Sequence, residues 1–359
     1  MVDALAAETS AGLEQVGACP ACGSARRTFA HTSHDWIYQL PGTFALQRCD
    51  DCRCVYPDPR PSPAGLGAYY PEGEYYAYST AARHELFARR ELPARAWYAA
   101  TRGLLRARYG YAELGGSALL GNLIRVAPPL QRRATFSLGV LLHPWRPGGA
   151  LLDVGCGAGG YLDLMRALGW AHVAGVDISA RGVETARDAL GIEAHQGDLA
   201  QVGFDDETFD AVSLSHTLEH IADPVALLRE VRRVTRPGGR IAILVPNVRS
   251  MLSRLLGSYW LCLDPPRHLV NFSPAGLRIA IERSGLELES LRTWSQGATG
   301  VAAFSVARWR GDPHGVYTNS DHPFGPRRRA VASTLAGVES ALCALGVPAG
   351  EQIGAVARR

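Results

Sequence analysis

Residues 151–162 read LLDVGCGAGGYL, an apolar run, one acid, closely spaced glycines and then apolar residues again. Gly155, Gly157 and Gly160 satisfy the G-x-G-x-x-G spacing of a loop that joins a strand to a helix. Glycines there let the backbone turn tightly and bring a ligand close to the first amides of the helix. Asp153 stands just ahead of the first glycine, with no lysine or arginine in the stretch to offset it. A carboxylate at that place opposes a diphosphate and favours a ligand carrying positive charge.

Outward from this loop the chain alternates short apolar runs with amphipathic segments. ALLDVGC, HVAGVDIS, IEAHQGD, FDAVSLS and RIAILVPN read as strands; GGYLDLMRALG, RGVETARDALG and DPVALLREVRRVTRPGG read as helices. That alternation predicts βαβ units and a mostly parallel sheet covered on both faces. Ligands of such sheets bind beyond the carboxyl ends of the strands. Asp177 ends the second strand, placed to accept both hydroxyls of a ribose. Asp198 follows the third, placed to accept from an adenine amino group. S-adenosylmethionine has no phosphate and carries a cationic ammonium and sulfonium, so the acids together favour it over NAD.

The segment 150–247 resembles the class I S-adenosylmethionine-dependent methyltransferases through LDVGCGAGGYL, GVDIS, GDL, FDAVSLSHTLEHIADP and LLREVRRVTRPGGRIAILVPN. The resemblance implies a Rossmann-like α/β sheet, mostly parallel with an antiparallel last strand. It further implies that Asp153, Gly155, Cys156 and Gly157 meet the methionine end and that Asp177 and Ile178 hold the ribose. Asp198 and Leu199 would hold the adenine, with Ser215 and His216 lining the floor near the methyl group. Cys156 is expected to contact cofactor or pack, not to act as a nucleophile. The methyltransferase domain is expected over 146–359, with cap insertions around 248–270 and 296–346 and EQIGAVARR as a terminal strand.

Five of the eight cysteines lie within the first 54 residues. Cys19-x-x-Cys22 and Cys49-x-x-Cys52 suit a four-thiolate tetrahedral zinc site, structural because its shell is closed. Cys54 is left over and is expected to pack. The proline-rich YPDPRPSP ends this zinc-ribbon-like module, giving 1–63; a helical, tyrosine-rich lid and connector follows over 64–145. Tyr75 and Tyr76 belong to a tyrosine cluster that either covers the substrate or docks the module. The layout of cysteine module plus methyltransferase domain is similar to that of bacterial zinc-containing sugar methyltransferases of natural-product pathways.

SHTLEHIADP sets His216, Glu219 and His220 at the exit of the fourth strand, and DPPRHLVNFSP supplies His268. A neutral histidine suits removal of an acceptor proton near pH 7. His268 is the leading base and His216 the second; convergence of His216, Glu219, His220 and His268 on a divalent metal is the alternative. Tyr259 and Trp260 fall in a segment expected to cap the acceptor pocket. The expected function is methyl transfer to a small-molecule acceptor such as a sugar or polyketide-like intermediate. The competing readings are an RNA or protein methyltransferase that recognises its target through the zinc module, and a non-catalytic S-adenosylmethionine-binding protein. The net charge of +3 demands no nucleic acid, and the cysteine module has no dense basic patch. No apolar run reaches spanning length and no signal peptide is visible, so the expected location is cytoplasmic, with no membrane association. Oligomeric state is left open.

Overall fold

A computed structural model describes residues 12–70, 92–111, 114–126, 141–295, 297–311 and 325–359. Tyr75 and Tyr76 lie outside the described residues. The first five strands are short: β1 (Leu13–Glu14), β2 (Arg27–Ser33), β3 (Phe44–Cys49), β4 (Val55–Pro57) and β5 (Arg60–Pro61). β1 pairs antiparallel with β5, and β2, β3 and β4 form a three-stranded antiparallel sheet.

Seven longer-range strands make the main sheet: β6 (Ala150–Val154), β7 (His172–Asp177), β8 (Glu193–Gln196), β9 (Phe209–Ser215), β10 (Thr235–Pro246), β11 (Glu287–Trp294) and β12 (Gln352–Arg358). Their order is β11-β12-β10-β9-β6-β7-β8. β6 runs parallel to β7 and to β9, and β7 parallel to β8. β12 opposes β10: Gly238 at the start of β10 donates to Arg359 at the end of the chain, and Asn247 just past β10 donates to Glu351 just before β12. Every residue of β6 is buried, as a continuous apolar run in a sheet covered on both faces requires.

The helices start and stop where the local chemistry dictates. Ser179 caps Ala180–Leu190 by accepting from the Gly182 amide, and Gly191 ends it at φ 60°. Pro274 opens Pro274–Arg283 behind the Ser273 cap. One boundary differs from expectation. The helix Pro224–Val234 stops before TRPGG, which instead opens β10. Pro237 cannot join an intrahelical ladder, and Gly238 sits at φ 71°.

Two compact units emerge. One comprises Met1–Tyr76, His216–Arg229 and Leu244–Ala355; the other comprises Ala77–Ser215, Glu230–Ile243 and Val356–Arg359. In the second, Leu151, Leu162, Met165, Trp170 and Ala194 share one apolar core. In the first, Trp260, Leu252, Leu263 and Ala302 form another together with Leu46 and Val55 of the cysteine module. The physical reason for that grouping is a set of polar ties. Val55 and Asn271 exchange backbone bonds of 3.0 and 2.7 Å, Ser273 Oγ donates to the Cys52 carbonyl, and Arg283 donates to the Ala21 carbonyl at 3.0 Å.

The first unit also buries two carboxyl groups, Glu339 and Glu351. Glu351 Oε1 accepts from the Cys262 thiol at 3.7 Å, while Glu351 Oε2 and Glu339 Oε1 have no partner among the described residues. Burial pushes Glu351 up to about 8 and Glu339 up to about 7. Folding therefore favours their protonated forms. The stabilisation is complete below the unfolded value of a glutamate, about 4.3, and is lost as pH rises through 7 and 8. Urea midpoints should fall between pH 5 and about 8.5, and Glu351→Gln should flatten that slope; an identical slope in the variant would clear Glu351 of the effect.

Candidate functional site

The glycine turn belongs to the second unit. Gly155, Gly157 and Gly159 adopt φ of 81°, 50° and 79°, which only glycine tolerates without strain. Gly159, not Gly160, supplies the third left-handed position and caps the helix Gly160–Ala167. The Gly155 and Cys156 amides donate to the Val176 carbonyl at 2.7 and 3.1 Å. Asp177 closes the turn: Oδ2 accepts from the Gly157 amide and Oδ1 from the Ser179 amide, both at 2.8 Å. Burial raises the Asp177 carboxyl, and the two amides oppose that shift.

The other cofactor candidates occupy different environments. Asp153 is buried in β6, and Ser215 is the last residue of β9. Asp198 is exposed and caps the helix Leu199–Val202, accepting from the Ala200 amide at 2.9 Å. Leu199 is buried, whereas Ile178 is 67% exposed, so Ile178 offers an apolar surface to whatever lies beside Asp177. Cys156 packs so closely on β7 that a side chain at Gly175 would fall 2.6 Å from its sulfur. Burial pushes that thiol up, which leaves it protonated and unsuited to nucleophilic attack.

The histidines gather in the first unit. His216 sits at φ 54°, an uncommon conformation for a non-glycine residue, and its amide donates to the Leu244 carbonyl at 2.8 Å. Its Nδ1 lies 3.2 Å from Oε1 of Glu219, which is buried. The Glu219 carbonyl accepts from the amides of Leu269 and Val270 at 2.8 and 3.0 Å, fastening the segment that carries His268. Glu219, His220 and His268 present donor atoms within 4.8 Å of one another. The His220 and His268 rings meet edge to face, centroids 4.7 Å apart.

Proton positions follow from the partners. His268 Nδ1 lies 2.8 Å from the Cys262 carbonyl, which can only accept, so Nδ1 carries a proton; Nε2 lies 4.0 Å from Oδ2 of Asp264. His220 Nδ1 faces the Arg267 carbonyl at 3.1 Å and the Tyr70 hydroxyl at 3.0 Å, which leaves Nε2 as its lone-pair nitrogen. Burial, aided by His268, lowers His220 to about 4. Burial opposes the Glu219 charge, yet the hydrogen bond from His216 and the surrounding imidazoles hold Glu219 below its usual value. Glu219 Oε2 has no partner among the described residues. Near pH 7 the cluster is a buried carboxylate beside a neutral His220.

All four residues singled out in SHTLEHIADP and DPPRHLVNFSP thus come together. Trp260, expected in a segment capping the acceptor pocket, is fully buried in the core that it shares with Leu46, Leu252 and Ala302. Tyr259 stays half-buried with its ring 5.8 Å from Trp36. Sequence reasoning missed Arg267. Its guanidinium, fully buried, takes Asp264 through Nε at 3.0 Å and Nη2 at 2.5 Å, and Asp35 through Nη1 at 3.0 Å and Nη2 at 2.5 Å. The Asp264/Arg267/His268 spacing was a local hint; Asp35, 232 positions away, gave none.

The cysteine module builds two matching knuckles. The Gly23 amide bonds to the Cys19 carbonyl at 2.8 Å and the Arg53 amide to the Cys49 carbonyl at 3.1 Å; Gly23 and Arg53 both have positive φ. The Cys19 amide donates to the Ser24 carbonyl and the Cys49 amide to the Cys54 carbonyl. Cys54 therefore corresponds to Ser24, not to a ligand position. The sulfurs of Cys19 and Cys52, and of Cys22 and Cys49, are 3.5 Å apart, and all four lie within 4.8 Å. A tetrahedral zinc with Zn–S of about 2.3 Å needs sulfurs about 3.8 Å apart, so the donor set fits. Burial pushes Cys22 up to about 11, so four thiolates need a cation to be stable together.

A methyltransferase domain family matches residues 124–291. A ubiquinone biosynthesis O-methyltransferase of Thiobacillus denitrificans is 31% identical over 156 residues, which is 40% of this chain and 67% of that protein. An uncharacterized 37.1 kDa protein from a transposon of Streptomyces fradiae is 38% identical over 112 residues, covering 30% of this chain and 32% of its own length. The solved S-adenosylmethionine-dependent methyltransferase from Mesorhizobium loti is 18% identical with a TM-score of 0.39, over 59% of this chain and 91% of that one. The chain spans from 32% to 67% of the length of these curated relatives. With its seven-stranded sheet and glycine turn, it belongs to the class I S-adenosylmethionine-dependent methyltransferases. No described helix is long and apolar enough to cross a membrane.

Metal analysis of the purified chain should find about one zinc per molecule held by the cysteines, lost in Cys19→Ser; full zinc in that variant would exclude the tetrad. Asp177→Ala removes the acceptor of two turn amides, and calorimetry should show S-adenosylmethionine binding weakened by about tenfold or more. Unchanged affinity would separate Asp177 from the cofactor.

Proposed function

We propose that the chain transfers the methyl group of S-adenosylmethionine to a hydroxyl oxygen of a small-molecule acceptor, with His268 as general base. Asp153, Gly155 and Gly157 receive the methionine end, Asp177 and Ile178 the ribose, and Asp198 and Leu199 the adenine, with Ser215 and His216 beside the methyl group. The acceptor hydroxyl gives its proton to His268 Nε2; its oxygen bonds to the methyl carbon as the carbon–sulfur bond breaks, and S-adenosylhomocysteine leaves. The observation that carries this reading is the Cys262 carbonyl, which holds a proton on Nδ1 and makes Nε2 the nitrogen that would take the acceptor's. The relative named as an O-methyltransferase supports oxygen as the accepting atom.

In this reading zinc in the cysteine tetrad is structural. The absence of a dense basic patch in the module favours a small acceptor over an RNA target. A second reading rests on Glu219 Oε2, buried without a partner among the described residues beside two imidazole nitrogens. These three side chains fit a divalent cation, which would supply Lewis acidity for the acceptor hydroxyl.

His268→Ala should lower turnover by about 10²-fold or more, measured as S-adenosylhomocysteine release, with S-adenosylmethionine affinity intact. Wild-type turnover in the variant removes His268 as base. Dialysis against chelator, with zinc retention verified, separates the readings: unchanged turnover supports the metal-free base, and loss restored by added magnesium or manganese supports the cation.

A further inference from the structure

Four arginines of the first unit converge, two from the cysteine module and two from the segment after β10. Arg48 lies in β3, and Arg53 occupies a left-handed position in the second knuckle at φ 65°. Arg249 follows the end of β10, and Arg254 lies in the helix Met251–Leu256. Core packing brings the two pairs together. Leu46, two residues before Arg48 in β3, shares a buried core with Val248 and Leu252. Residues two apart in a strand lie on one face, so Arg48 stands on the face that meets the segment carrying Arg249 and Arg254.

The patch is short of counter-charge. None of the four makes an ion pair among the described residues. Arg48 Nη2 donates to Thr28 Oγ1 at 3.3 Å, while its Nε is buried with no partner among the described residues. The acids of the knuckle are engaged elsewhere: Asp50 accepts from Thr28 Oγ1 at 3.1 Å, and Asp51 pairs with Arg26. Burial lowers the Arg249 guanidinium, and the charges of Arg254, Arg53 and Arg48 lower it further. Like charges pressed together are held at a cost, which a bridging anion relieves. Arg53 and Arg254 are exposed, and Arg48 and Arg249 half-buried, so the patch faces solvent.

The donors select the anion. Guanidiniums present planar forks that match pairs of phosphate oxygens and not a halide. A diphosphate brings more negative charge to four of them than a single phosphate does. The elements that hold them, β3, the second knuckle and the helix Met251–Leu256, expose no aromatic ring on which the bases of a nucleic-acid strand could stack. We infer that Arg48, Arg53, Arg249 and Arg254 form a binding site for the diphosphate group of a soluble ligand. Arg48 and Arg249 are its half-buried floor, Arg53 and Arg254 its exposed rim. No run of basic residues marks the site in the sequence; it exists only where positions 48 and 53 meet 249 and 254. It uses none of the residues assigned to cofactor, acceptor or base, and so stands apart from the methyl-transfer reading.

Calorimetry on the purified full chain tests the site, with sodium pyrophosphate, inorganic phosphate and sodium chloride compared at equal ionic strength. Pyrophosphate should bind saturably, about tenfold more tightly than phosphate. The double variant Arg53→Gln, Arg254→Gln changes only exposed side chains and should weaken pyrophosphate by about tenfold or more; Arg249→Gln should do the same. Pyrophosphate should also raise the thermal midpoint of the wild type and leave that of the double variant nearly unchanged. Absence of saturable pyrophosphate binding, equal affinity for phosphate, or wild-type affinity in the folded double variant overturns the site. Tighter binding of polyuridylate, or of phosphatidylcholine vesicles containing phosphatidic acid, that the same substitutions abolish also overturns it, because the patch would then be a nucleic-acid or a membrane surface.

Discussion

The first unit depends on a buried charge that cannot be left alone. Arg267, between Pro266 and His268, is fully excluded from solvent and is held by four contacts to two aspartates. Removing one partner of such a group leaves an uncompensated charge in low dielectric, at a cost of about 3–5 kcal/mol. The constraint is specific as well as strong, since the planar fork accepts carboxylates only in its own plane. Asp35 must therefore reach Arg267 from the loop between the cysteine knuckles, and Asp264 must turn back at φ 36° to meet it. The Arg267 carbonyl, fixed by the same restraint, is the partner of His220.

The glycine turn solves a different problem with the same economy of charge. Asp177 spends both carboxylate oxygens on amides of its own turn, which holds Gly157 and Ser179 in place. Each oxygen still has a second lone pair, so the carboxylate can organise the turn and accept a ligand hydroxyl. Asp198 shows the same economy: it caps a four-residue helix with one oxygen and faces solvent with the rest of its side chain. Reading such residues as helix caps or as ligand contacts is thus a false alternative. The amides they bind set the direction of the lone pairs that remain.

Legibility in the sequence tracked how local each determinant was. The apolar runs of β6, β9 and β10 and the caps at Ser179 and Gly191 were readable because period and capping chemistry act within a few residues. The two CxxC pairs and SHTLEHIADP were readable for the same reason. The strand that begins at Thr235 was misplaced because Arg236 continues the charged pattern of the preceding helix while Pro237 and Gly238 forbid it. Trp260 was misassigned since hydrophobicity alone cannot tell a pocket rim from a core. Asp35, Arg267 and Arg308 were invisible: their meaning lies in pairings across 232 and 272 positions, and no spacing rule reaches that far.

Those long pairings also explain why a cysteine module is built into this unit. The loop 34–43 presents Asp35 to Arg267 and Trp36 to Arg308 and Ser258, and buries Ile37 beside them. A small two-sheet module buries little apolar surface of its own, and its two knuckles meet at the sulfurs of Cys19, Cys22, Cys49 and Cys52. The loop is then held by the buried Arg267 guanidinium, which takes Asp35. Gly276 shows how tightly the knuckle is seated, since a side chain there would fall 2.1 Å from the Cys54 sulfur. A module fastened in this way is a wall of its own unit, and its sequence is constrained from both sides of the fold.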